Sequence, residues 1–476
     1  MSTTDYATEL FHDRGGWRAP YACEPPRSWN RPRLPLLFLI ADTGGGHRSA
    51  ARAVAQALER GYPGRFAPVL CDPLGGPGSA RLLRWVAGLY GPVIRRAPWL
   101  WGAAYHLCDS RPAAALLART LLRLAHGPAA DAARAHRPAG IVSFHPLTGT
   151  AAVAARDRGA AGAPVVTVVT DLARMHAAWG HARADLLVAP PTALRDSQHD
   201  GQHGRRQVLA ATTGLPVTRD YWGGPLRRGE RMVLRRALGL SEDRFLVLLA
   251  GGGEGSGGLG RRAAAILRRY PDVEVVALCG RNQRLKRRMD RLAARSGGRL
   301  TVTGFTRHLA DWLRSCDLVV TKAGPGTIAE ATCCGAPLLL TSHLPGQEAG
   351  NPEVVTRAGA GRRARGVRRM LAEIGSIRAD AAAAQDMRRA SAALGRPGAA
   401  AEIADLIASL VLTSPAATAS PARHGRQGSS APTMSPATAT ADTPAPTPPA
   451  PRLGPRVLRS RPSVPSPSLS TGAGRC

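Results

Sequence analysis

One segment of this chain that could do chemistry is a run of glycine residues directly after an apolar strand. Gly253, Gly255 and Gly258 fit the pattern G-x-G-x-x-G. The backbone N–H groups of such a loop, at the start of a helix, bind phosphate oxygens. A dinucleotide site also needs an acidic residue at the end of the next strand to hold the ribose. Cys279-Gly280-Arg281-Asn282 has no carboxylate, which disfavours NAD, and Arg281 would suit NADP only with further support.

A second glycine-containing segment follows another apolar strand and has the groups that bind a nucleoside diphosphate. Gly324 and Gly326 would let the backbone approach a pyrophosphate, and Thr327 could cap the helix that starts there. Glu330, one turn into that helix, could accept two hydrogen bonds from a ribose diol. Lys322 is one of only two lysines in an arginine-rich chain, which favours a specific role for its ammonium group.

Polar side chains also follow the next predicted strand. Gln347, Glu348 and Asn351 would share one face if a helix begins there. Amide and carboxylate groups at the carboxyl end of a strand suit recognition of sugar hydroxyl groups.

A histidine ends the glycine loop near the beginning of the chain. The loop Asp42-Thr43-Gly44-Gly45-Gly46-His47 follows an apolar strand and leads into an alanine-rich helix. A histidine that titrates near neutrality could deprotonate an attacking hydroxyl group. A histidine at a helix start is often only structural. A position opposite the later phosphate loops favours the catalytic role.

These loops require strands and helices that alternate along the chain, which predicts two doubly wound α/β domains. Strands are predicted at 34–41, 67–71, 140–144, 164–169 and 185–189, and again at 245–250, 273–279, 299–303, 317–321 and 337–341. The predicted organisation is a flexible leader at 1–33, an N-terminal domain at 34–215, a C-terminal domain at 216–410, and a disordered tail rich in Pro, Ala, Ser and Thr at 411–476.

Aromatic and basic residues alternate between Arg81 and Arg123, where Trp85, Trp99 and Trp101 lie among arginines. This mixture is typical of an element that lies in lipid headgroups, although a buried helix pair is the alternative. The formal net charge of +31 would draw the protein toward an anionic membrane surface, even if part of it reflects a GC-rich genome. No motif for nucleic-acid binding is present.

Neither a metal site nor a secretory signal is indicated by the sequence. The cysteines form no C-x-x-C pair, and the second half has no Asp-x-Asp motif at the end of a strand. The first thirty residues contain acidic residues and no apolar core segment, which argues against a secretory signal. Four of the cysteines lie among apolar neighbours, as buried thiols do, so a reducing cytoplasmic compartment fits best.

Eight motifs follow one another in order between about residue 34 and residue 405. They are Asp42 to Arg48, Ser143-Phe144-His145-Pro146-Leu147, Thr170-Asp171-Leu172, Gly214-Leu215-Pro216-Val217, Gly251 to Gly255, Cys279-Gly280-Arg281-Asn282, Thr321 to Glu330 and Pro345-Gly346-Gln347-Glu348. In this order they resemble monogalactosyldiacylglycerol synthases of glycosyltransferase family 28. The chain departs from the family at His176-Ala177-Ala178-Trp179-Gly180-His181, where the family has His-Pro and then Trp-Phe-His. This departure affects the acceptor side.

The resemblance implies a GT-B fold, with the acceptor domain first and the donor domain second. It implies an inverting transfer of galactose or glucose from a UDP-sugar to diacylglycerol, without a metal held by the protein. The enzyme would be peripheral, at the cytoplasmic face of a membrane. The alternatives are another lipid acceptor, such as a polyprenyl-linked one, and a UDP-sugar epimerase of the same architecture.

The resemblance also implies roles for individual residues. The donor site would comprise Gly252, Gly253, Arg281, Lys322, Gly324, Gly326 and Thr327 around the diphosphate, Glu330 at the ribose, Phe305 beside the uracil, and Gln347, Glu348 and Asn351 at the sugar. His47 would be the catalytic base, and Asp171 its competitor or the residue that orients it. Gly45, Gly46 and the three tryptophans would contact the acceptor or the membrane.

Overall fold

The computed structural model describes residues 32–418, except 42–44, 77, 182, 195–208, 254, 256 and 257. The predictions of a flexible leader before residue 32 and of a disordered tail after residue 418 therefore lie outside the described residues. The same is true of Asp42, Thr43 and Gly44 in the first glycine loop.

The first half of the described chain forms a parallel sheet with strand order β2-β1-β3-β4-β5-β6. Its strands are β1 (Leu34–Leu39), β2 (Phe66–Cys71), β3 (Gly140–Ser143), β4 (Val165–Val168), β5 (Leu186–Ala189) and β6 (Leu209–Thr212). The helices here are α1 (Gly45–Gly61), α2 (Arg81–Arg96), α3 (Pro98–Cys108), α4 (Arg111–Arg119), α5 (His126–His136) and α6 (Gly149–Gly159), with 3-10 turns at Leu121–Ala125, Pro146–Thr148, Ala177–His181 and Arg219–Tyr221.

The second half forms another parallel sheet, with strand order β12-β11-β10-β7-β8-β9. Its strands are β7 (Phe245–Ala250), β8 (Val273–Leu278), β9 (Leu300–Thr303), β10 (Leu318–Lys322), β11 (Leu338–Ser342) and β12 (Gly361–Arg363). Its helices are α7 (Arg228–Ala237), α8 (Leu259–Arg269), α9 (Gln283–Ala293), α10 (Leu309–Ser315), α11 (Pro325–Cys333), α12 (Asn351–Arg357), α13 (Gly366–Ala379) and α14 (Ala381–Leu394). Two doubly wound domains were predicted and are observed.

The central strands of each sheet are buried on both faces, as a parallel sheet requires. In β1, Phe38 points into a core shared with α1, whereas its neighbour Leu37 points into the core formed with α5 and α6. In β7, Leu248 and Leu249 divide in the same way between two cores. Successive side chains of a strand point to opposite faces, so strands buried on both sides consist of uninterrupted apolar residues.

The last long helix, α15 (Ala399–Leu412), returns to the first sheet. Its apolar side, including Ile403 and Ile407, lies in the core that contains Phe38. The Tyr62 hydroxyl on the loop after α1 also donates to Asp405 Oδ1 at 3.0 Å. The predicted C-terminal domain range of 216–410 is therefore wrong at its end, because this helix packs with the N-terminal sheet.

The predicted start of the tail at residue 411 is also wrong. Val411 is buried within α15, and a short helix α16 (Pro415–Thr418) follows. Burial of Val411 against Gly140 of β3 gives this end of the helix an apolar contact.

In each sheet, strands are added first on one side of the initial strand and then on its other side. This change of side leaves an opening at the carboxyl ends of two adjacent strands. β1 lies between β2 and β3, and β7 lies between β8 and β10. The connections leave such a strand toward opposite faces, and ligands of open α/β sheets bind outside the carboxyl ends of the strands at this point. We call the gap between β1 and β3 the first switch point and the gap between β7 and β10 the second.

A partly buried ion pair joins β7 and β10 at their amino ends, away from the second switch point. Arg235 of α7 donates to Asp317 Oδ2 at 2.7 Å, and the same oxygen accepts the backbone N–H of Leu246 at 2.8 Å. Arg231 donates to Oδ1 of the same carboxylate at 3.0 Å. The ion pairs of Asp317 therefore support the register of β7 and β10, in addition to the backbone hydrogen bonds between the two strands.

Candidate functional site

The loops after β7 and β8 interlock beside the second switch point. The backbone N–H of Arg281 donates to the Gly253 carbonyl at 2.8 Å. Gly255 has a φ of +58° and lies so close to the next loop that a Cβ would be 2.2 Å from the Cys279 carbonyl oxygen. Gly280 is restricted in the same way, with a φ of +57° and a Cβ position 2.3 Å from the Gly253 carbonyl oxygen. Only glycine fits these positions.

Two helices begin at the second switch point without a side-chain cap. α8 starts after Gly258, and α11 starts after Gly324. The first N–H groups of a helix have no partner within the helix and favour an anion. A Cβ at Gly326 would meet nothing within 4 Å, so this position is open. Thr327 was predicted to cap α11 but is its third residue, because the helix begins at Pro325.

The carboxyl group of Glu330 lies one turn into α11 and is only partly exposed. Tyr221, in the segment that joins the two sheets, is close enough to this carboxyl group to lower its pKa. Burial nevertheless raises the pKa of Glu330 to about 7. Near neutrality this group can therefore be a neutral acid or a strong acceptor for hydroxyl groups.

Arg281, which follows β8, and Phe305, which follows β9, are exposed and form a cation–π pair. The guanidinium carbon of Arg281 lies 4.9 Å from the centre of the Phe305 ring. The ring is 58% exposed, which is unusual for a phenylalanine and leaves surface for a stacked base.

The loop after β11 differs from its predicted form. Residues 345–350 form turns and α12 begins only at Asn351, so Gln347, Glu348 and Asn351 do not share a helix face. Asn351 is buried and donates through Nδ2 to the Ala323 carbonyl at 2.9 Å. That bond ties this loop to the end of β10.

Glu348 is also buried and forms an ion pair with Lys322. Its Oε2 accepts the backbone N–H of Leu344 at 2.8 Å. Gln347 remains partly exposed. Of the three residues predicted to read the sugar, Glu348 and Asn351 thus support the loop, whereas Gln347 retains an accessible side chain.

His47 lies at the first switch point, in the first turn of α1. Its Nδ1 is 2.8 Å from the Phe144 carbonyl oxygen and 2.9 Å from Thr170 Oγ1. A carbonyl only accepts, so Nδ1 carries the proton and Nε2 keeps its lone pair. Gly45 and Gly46 precede His47 in the helix, and a Cβ at Gly46 would meet nothing within 4 Å.

Burial changes the titration of this histidine. His47 is 9% exposed, and burial lowers its pKa to about 4, partly offset by the bond to Phe144. The expectation that it titrates near neutrality is therefore wrong. The imidazole stays neutral at physiological pH, which is the form that accepts a proton.

Among the described residues, Thr170 and not the adjacent Asp171 contacts the His47 ring. The Asp171 carboxylate accepts the Trp179 indole N–H at 2.6 Å and the His176 backbone N–H at 3.5 Å. Burial raises the pKa of Asp171 to about 6. Trp179 belongs to the segment that departs from the family pattern.

His145, after β3, completes the first switch point. Its ring meets the His47 ring edge to face, with the ring centres 4.4 Å apart. Nδ1 of His145 accepts the Leu147 backbone N–H at 3.1 Å, so the neutral ring carries its proton on Nε2. Sequence reasoning gave no role to His145, Thr170 or Tyr221; their only signal was membership of, or proximity to, a motif.

Helix α2 carries an apolar row that faces solvent. Leu82, Trp85, Val86 and Leu89 follow the spacing of one helix face, and Trp85 is 63% exposed. Trp99, in the first turn of α3, is 70% exposed. An exposed apolar row of this kind marks an interaction surface.

Trp101 does not belong to this surface. Its ring packs edge to face on Tyr90 at 4.8 Å, and its indole nitrogen is buried without a hydrogen-bond partner. The contact of Trp101 with the membrane stays a prediction.

The loops at the carboxyl ends of the two sheets touch each other. A Cβ at Gly350, in the loop after β11, would lie 2.8 Å from the Ala173 side chain after β4. Leu172 packs against the core of the second sheet. The groups at the two switch points therefore belong to loops that meet between the domains.

Two negative observations apply to the described part of the chain. Among these residues no helix is long and apolar enough to cross a membrane. The same residues contain no group of three His, Cys, Asp or Glu side chains arranged to hold a metal ion. The absence of a metal requirement stays a prediction.

Two protein-family descriptions match this chain in order. Monogalactosyldiacylglycerol (MGDG) synthase matches residues 47–217, and the glycosyltransferase family 28 C-terminal domain matches residues 246–351. The first match contains His47, Asp171 and the exposed row of α2, and the second contains both uncapped helix starts.

Curated relatives and a solved structure agree with this division. A probable monogalactosyldiacylglycerol synthase 2 from Oryza sativa subsp. indica is 31% identical over 335 residues, which are 68% of this chain and 70% of the relative. Monogalactosyldiacylglycerol synthase 1 from Arabidopsis thaliana is 30% identical over 70% of this chain and 62% of its own length. The crystal structure of MurG from Acinetobacter baumannii has a TM-score of 0.51 at 15% identity, with coverage of 79% of this chain and all of that one.

The likeness to MurG concerns the fold alone, and with the two parallel six-stranded sheets it confirms the predicted GT-B architecture. One of the two family descriptions matches in each domain, at residues 47–217 and 246–351. The chain belongs to the monogalactosyldiacylglycerol synthase family and carries the C-terminal domain of glycosyltransferase family 28.

Proposed function

We propose that this protein transfers galactose from UDP-galactose to the free hydroxyl group of diacylglycerol, with inversion to a β-linked product. The observation that carries the proposal is the pair of switch points, one with a neutral imidazole and one with two uncapped helix starts, on loops that meet between the domains. The names of the curated relatives supply the acceptor class.

The donor nucleotide would bind at the second switch point. Backbone N–H groups at Gly252 and Gly253 and at the start of α11 would hold the diphosphate, where positive helix ends stabilise the leaving UDP. Glu330 would accept hydrogen bonds from the ribose, and Phe305 would stack beside the uracil. Lys322 would add positive charge while it holds Glu348.

The transfer step needs one base and one leaving group. The acceptor oxygen attacks the anomeric carbon of the sugar from the side opposite UDP, forming the new C–O bond as the bond to the β-phosphate oxygen breaks. The proton of the acceptor hydroxyl passes to Nε2 of His47, whose lone pair is left available by the Nδ1–H bond to Phe144. The electron pair leaves with UDP, whose charge the uncapped helix starts stabilise.

The second candidate donor is UDP-glucose, which differs from UDP-galactose in the orientation of one hydroxyl group. Gln347 is the partly exposed polar side chain of the sugar loop and is our candidate for reading that hydroxyl group. The family names of the curated relatives favour galactose.

Diacylglycerol stays in a bilayer, so the enzyme must meet it there. We propose that the apolar row of α2 and Trp99 enter the headgroup region of the cytoplasmic face. Arg81, Arg84, Arg95 and Arg96 are exposed on the same helix and would pair with anionic headgroups.

The reaction itself can be tested with labelled donors. Incubation of the full chain with labelled UDP-galactose and vesicles that contain diacylglycerol should yield labelled lipid with the mass of a monogalactosyl product and a β anomer by NMR. Parallel incubation with UDP-glucose tests the second donor. UDP release without label in the lipid would contradict the proposal and favour an epimerase or a hydrolase.

The Glu330 assignment predicts a pH dependence of donor binding. Its raised pKa of about 7 means that the carboxyl is neutral below that pH. Affinity for UDP-galactose, measured by calorimetry, should therefore fall about tenfold between about pH 8 and about pH 6, because hydrogen bonds to the charged form are stronger. Glu330→Gln should bind weakly with no such step. A step of equal size in this variant would assign the titration to another group.

The His47 assignment predicts where turnover is lost in acid. A base acts above its pKa, so kcat at saturating donor should persist until the pH falls toward about 4. A loss near pH 6 would instead identify Asp171 as the base. His47→Ala should lower kcat by about 10² to 10⁴ while UDP affinity stays unchanged. His136→Ala, at an exposed histidine of α5, is the matched control.

The membrane surface predicts a defect that spares the nucleotide site. The double variant Trp85→Ala/Trp99→Ala should bind vesicles that contain phosphatidylglycerol about tenfold less tightly in a sedimentation assay, because two exposed indoles no longer enter the interface. UDP affinity should not change. Leu209→Ala, at an exposed apolar residue of β6, is the control, and equal loss in both would argue against this surface.

A further inference from the structure

Helix α3 of the first domain packs directly on the sugar loop of the second domain. A Cβ at Gly102 of α3 would lie 2.6 Å from the Pro345 side chain. A Cβ at Gly346, whose φ is +78°, would lie 2.6 Å from Cδ1 of Tyr105. The missing side chains at both glycines allow the helix and the loop to approach this closely.

Tyr105 touches the candidate catalytic region with its other contacts. Its ring meets the His176 ring edge to face, with centres 4.6 Å apart. Its backbone carbonyl lies 3.3 Å from Nε2 of His176, and the backbone N–H of His176 bonds to Asp171. Burial raises the pKa of the Tyr105 hydroxyl, and the nearby charge of Asp171 raises it further. One aromatic ring therefore lies between the acceptor-side carboxylate and the donor-side loop.

The part of the loop that Tyr105 touches is the part that carries the polar side chains. Gly346 directly precedes Gln347 and Glu348. Glu348 is held by Lys322 at the end of β10 and by the Leu344 N–H, so the loop is fixed on its own domain at one side. On the other side it rests on Gly102, Tyr105 and Ala173 of the first domain.

We propose that Tyr105 is a positioning residue that orients the sugar of the bound donor by fixing the loop at Gly346. The inference rests on the proposed function, because it assigns the sugar to this loop. Tyr105 acts through the backbone of Gly346 on Gln347 and does not itself touch the nucleotide. The same helix carries the exposed Trp99 and Leu107, so the surface proposed to meet lipid and the ring that holds the sugar loop belong to one rigid element.

The test compares the affinity for UDP with kcat/KM for UDP-galactose, because only UDP-galactose carries the sugar. Tyr105→Ala should leave UDP affinity unchanged within about twofold, yet lower kcat/KM for UDP-galactose about tenfold to a hundredfold, the cost of a misplacement of about 1 Å. Tyr105→Phe keeps the ring contact with Gly346 and should restore near-normal kcat/KM. Gly346→Ala should resemble Tyr105→Ala, because a methyl group would collide with the ring.

Ala104→Gly is the control for loss of helix stability, since Ala104 is exposed on the same helix. It should behave like the unmodified protein. Equal losses for UDP and UDP-galactose in Tyr105→Ala, failure of Tyr105→Phe to restore activity, or an equal defect in Ala104→Gly would each overturn the proposal. If the unmodified protein transfers no sugar to lipid, the proposed function fails instead, and the two failures are distinguishable.

Discussion

A parallel sheet whose strand order reverses leaves an opening at the carboxyl ends of two adjacent strands, and this opening is the constraint on which the structure depends. The connections on its two sides run to opposite faces, so backbone atoms line the gap. Here the openings lie between β1 and β3 and between β7 and β10. Glycines and helix starts line the second, and two histidines line the first. The chemistry of the protein follows from which groups the chain supplies at these two places.

Burial, more than residue type, decides what these groups can do. The sequence favoured His47 as the base, with Asp171 as its competitor or the residue that orients it, and desolvation acts on the two groups in opposite directions. It disfavours the charged imidazolium and lowers the pKa of His47 to about 4, whereas it disfavours the charged carboxylate and raises the pKa of Asp171 to about 6. Both groups are deprotonated at neutral pH. The neutral imidazole is the better placed, because a backbone carbonyl fixes its tautomer.

Most of the fold could be predicted because buried strands of parallel sheets are short apolar runs. The two strands that sequence reasoning missed lack this signal: β6 is largely exposed, and β12 consists of Gly361-Arg362-Arg363. The return of α15 to the first sheet could not be predicted. The apolar pattern of a helix indicates that one face is buried, but it does not identify the sheet on which that face packs. Likewise the glycine loops were recognisable, but the supporting roles of Glu348 and Asn351 depend on partners distant in sequence.

The return of α15 also decides how the molecule can be divided. The chain passes between the sheets twice, near Gly214 and near Arg396, and these crossings are in contact, because a Cβ at Gly214 would lie 2.3 Å from the Arg396 side chain. A fragment that ends at residue 215 would lack the helix that covers Phe38 and Val142, leaving an apolar sheet face in water. The N-terminal half is thus not an autonomous folding unit, and its completion during synthesis must wait for nearly the whole described chain to emerge.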